Sequence, residues 1–79
     1  MITARQIRAG RALLGWSQQE LADRAILSQN AVAKMERGEV DPRASTIEAV
    51  RRVLEKGGII LIAASGRLGE GVRALSPPG

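Results

Sequence analysis

The sequence predicts a mainly all-α domain of four helices followed by a C-terminal β-hairpin. Three observations point there. Hydroxyl residues stand at four positions where a helix can begin, three of them with Gln or Glu three residues later. Glycines stand where three of those helices would stop. After Gly57-Gly58 the apolar pattern changes from a helical period to a continuous, largely β-branched run.

The first helix is expected near residues 4–14: Thr3 and Gln6 make a capping box, Ile2 and Ile7 a hydrophobic staple, and Gly15 closes it. The second, near 18–25, repeats the device with Ser17 and Glu20 inside a Trp16/Leu21 staple. In the third, near 29–37, Ser28 lacks the carboxylate but keeps a Leu27/Val32 staple, and Gly38 follows. Glu39-Val40-Asp41-Pro42-Arg43 reads as a turn from which Pro42 excludes helix. The fourth helix, near 46–56, has Ser45 with Glu48 at its start and Gly57 at its end. Gly15, Gly38 and Gly57 are each expected to take the left-handed cap. Ile59 to Ala63 then reads as a strand buried on both faces. A loop follows through Gly66, Gly69 and Gly71, and Val72 to Leu75 reads as a second strand. Residues 1–57 thus form the helical unit, 58–75 the hairpin and 76–79 a frayed tail.

Composition narrows the function classes. At 79 residues there is room for one small domain, of a size that buries only roughly 60% of its unfolded surface and is marginal without a staple. No cysteine means no disulfide and no thiolate metal site. No histidine removes the commonest general base and metal ligand. With no clustered carboxylates either, an enzyme is disfavoured, and neither metal nor cofactor is expected. Trp16 is the sole aromatic residue, so the core must be aliphatic. The longest apolar run, Ile59 to Ala64, is far shorter than the ~20 residues of a membrane span, and no secretory signal is read at the amino terminus. A soluble, cytoplasmic protein is expected. The net charge of +4 favours a polyanionic partner, and residues 1–37 hold +3 of it, with six Lys and Arg against Glu20, Asp23 and Glu36.

Two short helices separated only by Ile26 and Leu27 form a helix-turn-helix. On the second of them Gln29, Asn30, Ala33, Lys34 and Arg37 fall within an arc of about 140°, with Ala31, Val32 and Met35 opposite. That arc carries two amides and two cations and no carboxylate. Amides can bond adenine edges, and Lys or Arg can bond guanine O6 and N7.

Ser17-Gln18-Gln19-Glu20-Leu21-Ala22, then Ser28 to Val32, then Lys34-Met35-Glu36-Arg37-Gly38, and the run Asp41 to Ile47 resemble the Xre family, helix-turn-helix regulators of the phage lambda repressor and Cro type. The resemblance covers roughly residues 3–57. It implies a lambda-repressor-like fold and double-stranded DNA binding by a bacterial or phage transcriptional regulator, most simply a repressor. Carried over position by position, it implies base reading by Gln29, Asn30 and Lys34 and phosphate contact by Gln18, with Ser28, Arg37 and Arg43 as further phosphate candidates. Free N–H groups at the start of the second helix independently favour phosphate near Gln18. The resemblance also suggests that Arg11 pairs with Glu36 and ties the first helix to the third, in preference to an Arg11 contact to DNA. Two departures stand out. Ile26 occupies the turn position where the family usually has glycine, and a hairpin replaces its usual fifth helix.

Other features take simpler readings. Arg5 and Arg8 form a solvated face, with contact to the DNA backbone as the alternative. Glu48, Arg51, Arg52 and Glu55 form a mixed-charge face opposite Ile47, Val50 and Leu54. Trp16 packs against Leu21 in preference to stacking on bases. Gly66, Gly69 and Gly71 serve a hairpin turn, since no Gly-Lys-Ser/Thr follows them. Ile59, Ile60, Leu61 and Ile62 are expected to pair with a second copy in a two-fold homodimer. The alternatives are a hairpin folded back on the first and fourth helices of its own chain, or one that clasps a partner protein, as in an antitoxin or adaptor.

Overall fold

Local chemistry sets three of the four helix starts. Both halves of the capping box form at Thr3, where Oγ1 accepts from the Gln6 N–H while Gln6 Oε1 accepts from the Thr3 N–H. Ser17 and Glu20 do the same, and Ser28 Oγ accepts from the Ala31 N–H. Such caps contribute ~1 kcal/mol each. The computed structural model describes residues 2–39 and 43–76. Its elements are α1 (Ala4–Leu14), α2 (Gln18–Ala25), α3 (Gln29–Glu36), α4 (Ala44–Lys56), β1 (Ile59–Ile62) and β2 (Gly71–Ala74). Val40, Asp41 and Pro42 of the expected turn, and residues 77–79 of the expected tail, lie outside the described residues.

The fourth start differs from expectation. α4 begins at Ala44, with Arg43 in the cap position and no side-chain cap. Ser45 is inside the helix, and Glu48 bonds Arg51 instead of reaching back to Ser45. Gly15 and Gly38 take the left-handed conformation, but Gly57 does not: its φ is −76°, and Gly58 carries the positive φ of 107°. What position 57 requires is space, because a Cβ there would stand 2.9 Å from Trp16 Cη2. Trp16 packs partly buried against the core, with the Arg24 guanidinium 4.3 Å above its ring. The structure thus gives Trp16 the packing role expected of it.

The core is aliphatic: Leu21 from α2, Val32 from α3 and Val50 and Leu54 from α4 are fully buried, joined by Ile7 of α1 and Ile59 of β1. Each contributes about 1.5–3 kcal/mol of burial. The strands pair antiparallel, with Ile59 opposite Ala74, Ile60 opposite Arg73 and Leu61 opposite Val72. β1 is not buried on both faces as its composition suggests. Ile59 is in the core, whereas Ile60 and Ile62 are each 45% exposed on the outer face. The hairpin lies against α1 and α4 of its own chain.

That docking is anchored at the start of α1. Buried Gln6 uses its amide nitrogen to donate to both the Ile62 and Gly71 carbonyls at 3.0 Å, while its oxygen serves the α1 cap. Glu70, in the loop before β2, accepts from the Thr3 hydroxyl at 2.7 Å and from Arg5 Nη2 at 2.6 Å and Nε at 3.1 Å. The Arg5 guanidinium, followed by the Thr3 hydroxyl, lowers the Glu70 carboxyl to about 2.

Candidate nucleic-acid interface

Glu36 fixes the geometry of the helix pair. Its side chain is 3% exposed, on the inward edge of α3. A carboxylate removed from water needs charge and hydrogen bonds in return. Arg11 supplies both, with Nε 2.7 Å from Oε2 and Nη2 3.0 Å from Oε1. Gln18 Nε2 adds a third donor at 3.1 Å, from the first turn of α2. Arg11 Nη1 continues to the Trp16 carbonyl at 3.0 Å, and Arg8 donates to the Glu36 backbone carbonyl at the end of α3. One carboxylate thus ties α1, α2 and α3 together. The hydrogen bond to Glu36 holds the Arg11 guanidinium above its ordinary value, against the effect of burial.

The turn between α2 and α3 closes tightly. Leu27 N–H donates to the Ala22 carbonyl at 2.8 Å and Ile26 N–H to that of Asp23 at 3.3 Å, the Schellman pattern of a helix end. The left-handed residue this pattern needs is Ile26, with φ 57° and ψ 50°. Holding a β-branched residue there costs roughly 1–2 kcal/mol. The turn keeps its form and carries the strain.

With this frame set, α3 turns Gln29, Asn30 and Lys34 to solvent, while Val32, Met35 and Glu36 are buried. Among the described residues, no side chain pairs with those two amides or with the Lys34 ammonium. The first turn of α3 contains no carboxylate, whereas that of α2 contains Glu20, bonded to the Ser17 N–H at 3.1 Å. Ser28 Oγ accepts from Ala31 N–H and so retains its own O–H to donate. Gln18 uses one amide hydrogen on Glu36 and retains the other. Arg43 is exposed at the head of α4.

The remaining cations are not uniformly available. Arg37 pairs with Glu39 at 2.5 Å, which holds the Glu39 carboxyl below its ordinary value. Arg5 and Arg8 are exposed on α1, as a solvated face requires, and are also engaged, Arg5 by Glu70 and Arg8 by the Glu36 carbonyl. Arg51 bridges Glu48 and Glu55 along α4. Sequence reasoning identifies neither of two contacts across the chain, Gln6 with the Ile62 and Gly71 carbonyls and Glu70 with Thr3 and Arg5. The sole local signal was Gln6 in the capping box, which accounts for its oxygen and not for its nitrogen.

A family model described as helix-turn-helix matches residues 7–61. The chain belongs to the helix-turn-helix family of Xre and lambda-repressor-like DNA-binding regulators. It is a helix-turn-helix protein of DNA binding and transcription regulation, a family not typically enzymatic. The matched span of this regulator includes Ile59 to Leu61 of β1, so the strand that completes the core falls within the family region. No curated protein matches the regulator as a relative. No described helix is long and apolar enough to cross a membrane.

Proposed function

We propose that this regulator represses transcription by occupying a specific operator, with α3 in the major groove of duplex DNA. The observation that carries it is the outward arc of α3: Gln29, Asn30 and Lys34 are exposed on a helix whose opposite side is locked into the core. In this arrangement Gln29 and Asn30 read adenine edges and Lys34 reads guanine. Gln18, Ser28, Arg37 and Arg43 hold the flanking phosphates, Arg37 by exchanging Glu39 for phosphate. The protein acts in the cytoplasm as a two-fold homodimer, placing two recognition helices about 34 Å apart on a near-palindromic site. Ile60 and Ile62, exposed beside Leu61 on β1, supply the dimer contact. Ile59 is held in the core and contributes by fixing the strand.

The same exposed pair supports a second reading, an antitoxin or adaptor whose hairpin binds a partner protein while α3 holds DNA. Sedimentation at micromolar concentration separates the two, since a lone monomer removes the homodimer. Selection of bound sequences from random duplexes at two salt concentrations tests the DNA reading. The expected result is a near-palindromic consensus with half-sites about 10 base pairs apart. Recovery of no consensus, with binding that only tracks salt, would overturn it.

A further inference from the structure

We propose that Ile26 is a base-contacting residue whose side chain packs on the 5-methyl group of a thymine at the edge of the half-site. This rests on α3 being the groove helix. Ile26 is 91% exposed, and among the described residues from 17 to 39 it is the only large apolar side chain left in water. It also holds the left-handed conformation, φ 57° and ψ 50°, that glycine adopts freely and a β-branched residue resists. Glycine or asparagine would close the same Schellman turn with less strain. The turn needs the left-handed backbone at position 26 but not a β-branched side chain, and that side chain, left in water, adds nothing to the core. Strain that packing does not require is a mark of function.

The location supplies the function. Ile26 stands two residues before Ser28, the cap of α3. A recognition helix meets base edges with its N-terminal residues, so the turn leading into it borders the groove. The outward arc of α3 offers amides and cations, which read the donors and acceptors of adenine and guanine. Its only apolar group is the short Ala33. The thymine methyl is the apolar feature of the major groove, and Ile26 is the exposed large apolar side chain nearest in sequence to the base-reading end, Leu27 being turned toward the core.

The test uses the full chain and a duplex obtained by selection, in which each thymine of the half-site is replaced in turn by deoxyuridine, which lacks only the methyl. For the unmodified protein, one replacement should weaken binding about fourfold, the effect of one buried methyl-sized group. Ile26→Gly should bind the thymine duplex about fourfold more weakly and be indifferent to uracil at that position. The same variant should melt a few degrees higher, as the left-handed strain is relieved. Equal affinity of Ile26→Gly for the thymine duplex would overturn the proposal, as would the absence of any uracil-sensitive position linked to residue 26. Lys34→Ala is measured alongside. If it leaves affinity and base preference intact, the groove assignment of α3 fails and the Ile26 contact fails with it. If it weakens binding and Ile26→Gly does not, the Ile26 contact alone fails.

Discussion

The outward faces of α3 and α4 are both exposed and both rich in polar side chains, yet they are in opposite states. On α4, Arg51 is held between Glu48 and Glu55, and Arg52 lies 4.0 Å from Glu48. On α3, Gln29, Asn30 and Lys34 have no side-chain partners among the described residues. Pairs spaced three and four apart contribute only ~0.2–0.5 kcal/mol each, but they neutralise the surface they occupy. Charge on a helix face is therefore a poor guide to a nucleic-acid site. On the proposed reading, donors that the protein leaves unsatisfied are a better one.

The largest test of this contrast lies on the inward edge of α3. Glu36→Ala removes the acceptor shared by Arg11 and Gln18 and leaves a half-buried guanidinium unpaired. The expected loss is about 3–5 kcal/mol of stability, read from chemical denaturation. Lys34→Ala, two residues away and outward, should leave the melting curve unchanged and cost ~1–3 kcal/mol of specific DNA binding, with relaxed preference at one base. Glu39→Gln frees Arg37 from its competing carboxylate and should tighten DNA binding several-fold, read from titrations at fixed salt. Arg51→Ala on α4 should leave DNA affinity unchanged and lower stability by under about 0.5 kcal/mol. A loss of DNA affinity with Arg51→Ala would end the contrast.

A pH titration separates a third kind of charged contact. The Glu70 carboxyl is lowered from 4.5 to about 2 by Arg5 and Thr3. Between those values the unfolded chain binds more protons than the folded one, so stability rises with pH across that window and falls as pH drops through it. Glu39 and Glu48, lowered by Arg37 and Arg51, act in the same direction. Glu70→Gln should flatten the slope between pH 4.5 and 2 without altering DNA binding near neutrality.

What was legible in the sequence was what short range decides. Thr3, Ser17 and Ser28 mark their helices because a cap is satisfied within three residues. The wheel of α3 separates Lys34 from Val32 because helical period fixes faces. The start of α4 differs from the sequence reading because the Ser45–Glu48 pattern is local while Glu48 has a better partner in Arg51. Burial of β1 on one face could not be read from Ile59-Ile60-Leu61-Ile62, in which both alternating sets are apolar. Gly57 reads from sequence as a conformational glycine because nothing nearby reveals that Trp16 packs onto it. The Glu70 and Gln6 contacts span 56 to 67 residues and have no local signature at all.

Gln6 has a consequence for how the molecule opens. Its amide joins the first turn of α1 to the carbonyls of Ile62 and Gly71. In a chain without cysteine, it acts as a reversible cross-link between the two ends of the polypeptide, closing a loop nearly as long as the domain. Fraying of α1 and release of the hairpin then become one event. Amide hydrogens of the first helical turn and of the strand pair should exchange with a common protection factor, as a single cooperative unit distinct from the helix-turn-helix.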